Sequence, residues 1–214
     1  MTLTSANVFV CQHPIVQQKI SELRNAKNTP RQVRELTDSI TRLLLYTATQ
    51  DLNLVESMEA QSPMGNKYQQ LSVSTRLALV PILRSGLAML SAASDLLHDA
   101  EIRHLGLFRE EATLQPVEYY NKLPRQCNAD QCLVLDPMIA TGGTAQAAIE
   151  ILRDWGVPTI KFIAICVSQQ GIETLARKFP DVQFFVGTVD EGLDSKGFVV
   201  PGIGDCGDRL NNTA

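Results

Sequence analysis

From residue 77 onward, short continuous apolar runs alternate with amphipathic stretches, and this pattern limits the chain to few folds. LALVPIL (77–83), IRHLGLF (102–108), QCLVL (131–135), IKFIAICV (160–167) and VQFFV (182–186) read as strands. Between them, Gly86–Leu97 reads as a helix, as does Ala145–Trp155, with Ala145, Ala148, Ile149 and Leu152 at helical spacing. Ile172, Leu175, Ala176 and Phe179 mark a third. Strands apolar on both faces and separated by helices predict an α/β fold, a parallel sheet covered by helices on each side. Ligands of such sheets bind beyond the carboxyl ends of the strands.

The first ~50 residues read as helical. IVQQKISELR places Ile15, Val16, Ile20 and Leu23 on one face. Thr29, Pro30 and Gln32 have the spacing of an N-cap, a first-turn proline and a capping box. Val33, Leu36, Ile40, Leu43 and Leu44 supply the stripe of that second helix. The segment 109–128 breaks the alternation, and Pro116–Tyr120 is strand-like, so a hairpin arm or flap is expected there. There is no internal repeat and no low-complexity linker, and 214 residues fit a single domain over 1–214.

The most informative stretch is CLVLDPMIATGGTAQAAIEIL, Cys132 to Leu152. It runs strand, acid, Thr-Gly-Gly-Thr, helix. Asp136 stands at the strand end, where a carboxylate meets sugar hydroxyls or a metal. Gly142 and Gly143 let the backbone approach a ligand closely. Thr141 and Thr144 add hydroxyls, and the helix aims its free N–H groups into the loop, which suits a phosphate. The plain alternative is a structural turn with Thr144 as the helix cap; the acidic strand end and the complete amphipathic helix favour a binding loop. No GxxxxGK[ST] sequence occurs, so nucleoside triphosphate hydrolysis is not inferred.

FVVPGIGDCGDRL (Phe198–Leu210) places Asp205, Asp208 and Arg209 among Gly202, Gly204 and Gly207. The glycines satisfy GxGxxG. Only seven residues follow Gly207, too few for the helix and strand of a dinucleotide unit. Arg84 and Arg109 sit at the carboxyl ends of consecutive strands. A net charge of −4 requires any anionic substrate to find such local positive charge.

DPMIATGGT resembles the phosphoribosyl pyrophosphate (PRPP) loop of type I phosphoribosyltransferases, in the form found in uracil phosphoribosyltransferases. The usual pair of adjacent acids is here Asp136 followed by Pro137. VVPGIGDCGDR is similar to that family's uracil-binding motif, with Phe198 where tyrosine is usual and Cys206 where alanine is common. The resemblance extends from HPIVQQK to the C-terminus. It implies the type I architecture with N-terminal helices and a base-binding C-terminal hood, and an enzyme that converts uracil and PRPP to UMP and pyrophosphate. It assigns PRPP binding to Arg84, Arg109, Asp136, Pro137, Met138, Ile139, Ala140, Thr141, Gly142, Gly143, Thr144 and Asp205. Uracil binding falls to Val199, Gly204, Asp205 and Cys206, and catalysis to Asp136, Asp205 and Arg109. Mg²⁺ is implied as the cofactor, carried by PRPP and water with Asp205 nearby and no direct protein ligand. Such a base site suits the chemistry: uracil presents acceptor, donor, acceptor, an order that exposed backbone groups match and cytosine does not.

A pyrimidine-nucleotide-responsive RNA-binding regulator on the same fold is the alternative. Its basic face is missing from an acidic chain without an arginine–lysine cluster, so no nucleic-acid partner is expected. No apolar run reaches ~18 residues, and no membrane partner is expected. Five cysteines of irregular spacing and a leaderless N-terminus point to reduced thiols in a cytoplasm. His13, His98, His104, Cys127, Cys132 and Cys166 read as structural. The family favours homodimers or higher oligomers with the N-terminal helices as plausible contacts, and some members respond to GTP, which no residue here decides.

Overall fold

The computed structural model describes residues 2–109 and 116–213. Its centre is the alternating region. Strands β5 (Leu77–Leu83), β9 (Gln131–Leu135), β11 (Thr159–Ser168) and β12 (Gln183–Asp190) pair in parallel in the order β12-β11-β9-β5. Residues Val80, Val134 and Phe162 lie in register across three of them. Helices α3 (Leu87–Leu96), α4 (Gly143–Trp155) and α5 (Gln169–Lys178) connect them. One face of the sheet packs Ala148, Ile149 and Leu152 of α4 and Ile172 and Leu175 of α5 against Val80, Val134 and Phe162. The other packs α1 (Pro14–Leu23) and α2 (Pro30–Ala48) against Leu79, Leu133 and Ile163. Both faces are therefore buried, as the unbroken apolar runs require.

The helical reading of the first residues needs two corrections. The chain starts with β1 (Thr2–Ser5) and β2 (Val8–Val10), and β2 extends the sheet alongside β12. Strands of four and three residues carry too little periodicity to be read. Within α1, Val16, Ile20 and Leu23 are buried but Ile15 is half exposed, because it lies a quarter-turn off the stripe. Helix α2 begins as its sequence dictates: Thr29 and Gln32 form a capping box ahead of Pro30 at the first turn.

IRHLGLF divides into β6 (Glu101–Ile102) and β7 (Leu105–Arg109), each paired with β5. Strand β8 (Pro116–Asn121) pairs antiparallel with β7, so the expected hairpin forms and its second strand is the sheet edge. Its tip, 110–115, lies outside the described residues. The sequence reading missed a longer hairpin. Strands β3 (Leu54–Gln61) and β4 (Lys67–Val73) pair antiparallel, and all their residues except half-buried Ala60 are exposed. With neither face buried, no apolar alternation marks them. Beyond the sheet, β10 (Met138–Ile139) pairs with β11, and a small ladder of β13 (Gly192–Leu193) and β14 (Val199–Val200) leads to α6 (Cys206–Asn211). No helix among the described residues is long and apolar enough to cross a membrane.

Candidate active site

The carboxyl ends of the parallel strands carry the candidate residues. Leaving β9, the chain places Asp136 in a buried position, where Ser85 Oγ donates to its Oδ1 at 3.0 Å. Burial pushes its carboxyl up to about 7, and the hydrogen bonds from Ser85 and the Met138 N–H act against that rise. Ser85 comes so close because Gly86 follows it: a Cβ there would lie 2.3 Å from the Leu135 carbonyl.

The next residues are held by main-chain bonds. The Pro137 carbonyl accepts from the N–H groups of Ile165 and Cys166 at 3.1 and 3.0 Å. Met138 and Ile139 then run beside β11 as β10. The Ala140 carbonyl accepts from Ser168 Oγ at 2.5 Å, and the same oxygen of Ser168 caps α5 by accepting from the Gly171 N–H. Only glycine fits at 171, since a Cβ would stand 2.2 Å from the Ala140 carbonyl oxygen.

Gly142, at φ +89°, is the N-cap of α4, and no side chain caps the helix. The structure excludes the reading of Thr144 as the cap: the helix starts at Gly143, and Thr144 lies inside its first turn. A helix whose N-cap is a left-handed glycine, with no side chain of its own to cap it, is suited to an anion. Thr141 is exposed at its mouth.

The C-terminal tail reaches the same end of the sheet. Val199 is buried, Gly204 and Asp205 are exposed, and Cys206 is buried. Asp205 caps α6, its Oδ1 accepting from the Asp208 N–H at 3.0 Å. Asp208 in turn pairs with Arg84 at 3.4 Å, joining the tail to the end of β5. The Cys206 thiol is pushed up to about 12, first by burial and then by Asp136, with Asp205 adding to the rise and Arg209 opposing it. Asp136 and Asp205 therefore both act on the Cys206 thiol, although Asp136 lies 70 positions before Cys206 in sequence. Arg84 faces solvent beside them. The backbone of Arg109 ends β7, next to β5; its side chain lies outside the described residues.

Three arginines, none identified from the sequence as anchors, fasten the tail. Arg209 donates to the carbonyls of Ile203 and Asn25, at 2.5 and 2.8 Å. Arg34 donates to the Leu210 carbonyl at 2.6 Å. Arg24 forms a two-pronged pair with Asp190, 2.6 Å on each prong, and also donates to the Gly202 carbonyl. Burial alone would raise the Asp190 carboxyl; the Arg24 guanidinium and the Gly202 N–H outweigh it and hold the group below its usual range. Ile203 apart, these partners lie more than 160 positions apart in sequence, and no local pattern reveals them. His13, read as structural, caps α1 through Nδ1, which accepts from the Ile15 N–H at 3.2 Å. Cys166, also read as structural, is buried and donates to Asp190.

Among the described residues, no group of three or more His, Cys, Asp and Glu could hold a metal ion. A hydrated Mg²⁺ requires less. Asp205 is exposed, has only Oδ1 engaged, and offers a hard oxygen to a water of such an ion.

The profile of the family described as uracil phosphoribosyltransferase matches residues 10–213. A uracil phosphoribosyltransferase of Roseiflexus sp. is 45% identical over 208 residues, covering 97% of this chain and 99% of the relative. A putative uracil phosphoribosyltransferase of Schizosaccharomyces pombe is 42% identical over 205 residues, covering 96% and 90%. A solved structure of an Aquifex aeolicus protein superposes with a TM-score of 0.88 at 32% identity, covering 95% of this chain and 97% of the other.

Proposed function

The chain belongs to the uracil phosphoribosyltransferase family, and from that premise we propose how its residues share the conversion of uracil and PRPP to UMP and pyrophosphate. The observation that carries the reading is that the 199–208 tail arrives at the end of the sheet from which the 136–144 loop departs: Asp208 pairs with Arg84, whose neighbour Ser85 donates to Asp136. One part suits a phosphorylated sugar and the other a planar base. The bond to be made joins them.

Asp136 holds the ribose hydroxyls. The backbone from Pro137 through Met138, Ile139 and Ala140 sets the path of the loop. Thr141, Gly142, Gly143 and Thr144 hold the 5-phosphate at the start of α4. Arg84 and Arg109 take the pyrophosphate, for which a planar guanidinium offers paired donors. Backbone groups at Val199 and Gly204–Cys206 read the uracil edge. Asp205 would hold a water of the hydrated Mg²⁺ bound with PRPP, and the ion, when bound, would supply charge stabilisation to the leaving pyrophosphate. Uracil N1 bonds to ribose C1 as the C1–oxygen bond to pyrophosphate breaks, with loss of the N1 proton. These residues act by positioning and by fixed charge, and no covalent nucleophile is used.

The chain works as one unit over 1–214, in the cytoplasm, where its five free cysteines stay reduced. It acts as a homo-oligomer. An isolated two-stranded hairpin is marginal in water, yet β3–β4 exposes Leu54, Val55, Met58, Tyr68, Leu71 and Val73. GTP is retained as a candidate activator, tested by adding it to the assay below.

The test is to incubate protein, PRPP and Mg²⁺ with radiolabelled uracil, cytosine, orotate or hypoxanthine separately. Efficient conversion of uracil alone is expected. Equal or better use of orotate or hypoxanthine would contradict the reading.

A further inference from the structure

Beneath the tail lies an ion pair that the chemistry above does not use. Arg24 ends α1 and Asp190 ends β12, and only about 5% of the Asp190 side chain is exposed. Asp190 Oδ2 collects three donors: the Arg24 guanidinium at 2.6 Å, the Gly202 N–H at 2.8 Å and the Cys166 thiol at 3.3 Å. Arg24 also donates to the Gly202 carbonyl at 2.7 Å. Both main-chain polar groups of Gly202 are thus clamped by one charge pair. The backbone conformation there, φ +58°, favours glycine, and a Cβ would fall 2.0 Å from the Val199 carbonyl oxygen. Gly202 sits between Val199 and Gly204–Cys206.

A staple that merely kept the tail docked would not need this arrangement. Val199, Ile203, Cys206 and Leu210 already bury themselves in the core shared with α1 and α2, and Arg34 and Arg209 add two further fastenings. What those contacts leave undetermined is the rotation of the peptide groups flanking Gly202, and the Arg24–Asp190 pair determines it. A base read by backbone N–H and C=O groups depends on that rotation, because a peptide turned away offers a donor where an acceptor is required.

We propose that Arg24 and Asp190 are positioning residues for uracil, setting the orientation of the backbone from Val199 to Cys206 that reads the base. This rests on the assignment of that backbone as the uracil site.

The test uses the full chain with Arg24→Gln, Arg24→Lys, Asp190→Asn and the Arg24→Gln/Asp190→Asn double variant, measuring KM for each substrate, kcat and Tm. Arg24→Gln is expected to raise KM for uracil about tenfold or more while KM for PRPP stays within about twofold. Arg24→Lys should fall between, since one ammonium cannot span both carboxylate oxygens and the Gly202 carbonyl. The double variant should be little worse than the worse single one, because both remove the same clamp. Should Arg24→Gln not fold, Arg24→Lys decides alone. An unchanged KM for uracil in the folded variants, or a parallel rise in both KM values, overturns the proposal. Gly204→Ala separates the two claims. If it impairs uracil use and the Arg24 variants do not, only the positioning role fails. If it too leaves uracil use intact, the assignment of the base site fails.

Discussion

Residues 136–144 are fixed by the sheet they leave, whereas residues 199–211 are fixed by side chains arriving from the other end of the chain. The first region draws on neighbours in β11 and α5: Pro137 on Ile165 and Cys166, Ala140 on Ser168. The second draws on the side chains of Arg24 at the end of α1 and Arg34 in α2, and on the Asn25 carbonyl in the turn between those helices. The proposed phosphate loop is held by the next strand of the sheet, with the Ala140 partner 28 positions on, so its form is set by neighbouring units. The tail depends on the whole fold having closed. On the proposed assignment, the half of the site that binds the phosphoribosyl group is thus built into the sheet, and the half that selects the base is an attachment to it.

Removing the attachment breaks this contrast most completely. A chain truncated before Pro201 should lose uracil conversion by roughly 10³-fold or more, because the backbone expected to read the base is gone. PRPP binding, followed by calorimetry, should survive in part, since its loop shares no strand with the tail. Undiminished uracil turnover in that chain would place the base site elsewhere.

Asp205→Asn probes the seam between the halves. The change is nearly isosteric and retains an oxygen to cap α6, so Tm should move little. Activity should fall by about 10²-fold or more with the loss of the charge beside the Mg²⁺–PRPP complex. A loss of about 0.5 kcal/mol or less in transition-state stabilisation is what an ordinary surface change would give, and would remove Asp205 from the site.

Arg84→Ala should cost roughly 10- to 150-fold in kcat/KM for PRPP, the value of one charge-assisted contact of ~1.5–3 kcal/mol. Folding should be barely affected, because its pairing with Asp208 is exposed and contributes little. Arg109→Ala is expected to behave alike. Wild-type rates at subsaturating PRPP would return either arginine to the role of a surface charge.

An effect on stability, read separately from activity, concerns the buried acid of the loop. Asp136 titrates near 7 in the folded chain and near 4 when unfolded. Between these values the folded state holds the extra proton, so the group's contribution to stability is complete below about pH 4 and is lost as pH rises to about 7. Asp136→Asn does not titrate. Wild type should therefore lose on the order of 10 °C of Tm relative to this variant between pH 4 and pH 8. A constant difference across that range would show that Asp136 ionises without cost.

The same contrast explains what the sequence made legible. Helix α2 announces itself through Thr29, Pro30 and Gln32, and the central strands through unbroken apolar runs, because those signals are local. The loop after β9 was readable for the same reason. β3–β4 left no trace because neither of its faces is buried, so apolar and polar residues follow no period. Strands β1 and β2 are too short to show one. The tail could be recognised by its resemblance to a known motif, but its anchorage could not: nothing near Arg24 distinguishes it from Arg31 or Arg42, whose carboxylate partners include acids four residues away. Lys161, read only as one residue of an apolar strand, is buried and reaches the Ala48 carbonyl and Asp51, closing the end of α2 onto the sheet.

Hydrogen exchange with stable ligands tests the division of the site most directly, because no turnover intervenes. Ribose 5-phosphate should slow amide exchange in Ile139–Ala145 and leave Val199–Cys206 unchanged. UMP should slow exchange in both segments. Equal protection of both segments by ribose 5-phosphate, or no added protection of Val199–Cys206 by UMP, would contradict the assignment of sugar phosphate to the loop and base to the tail.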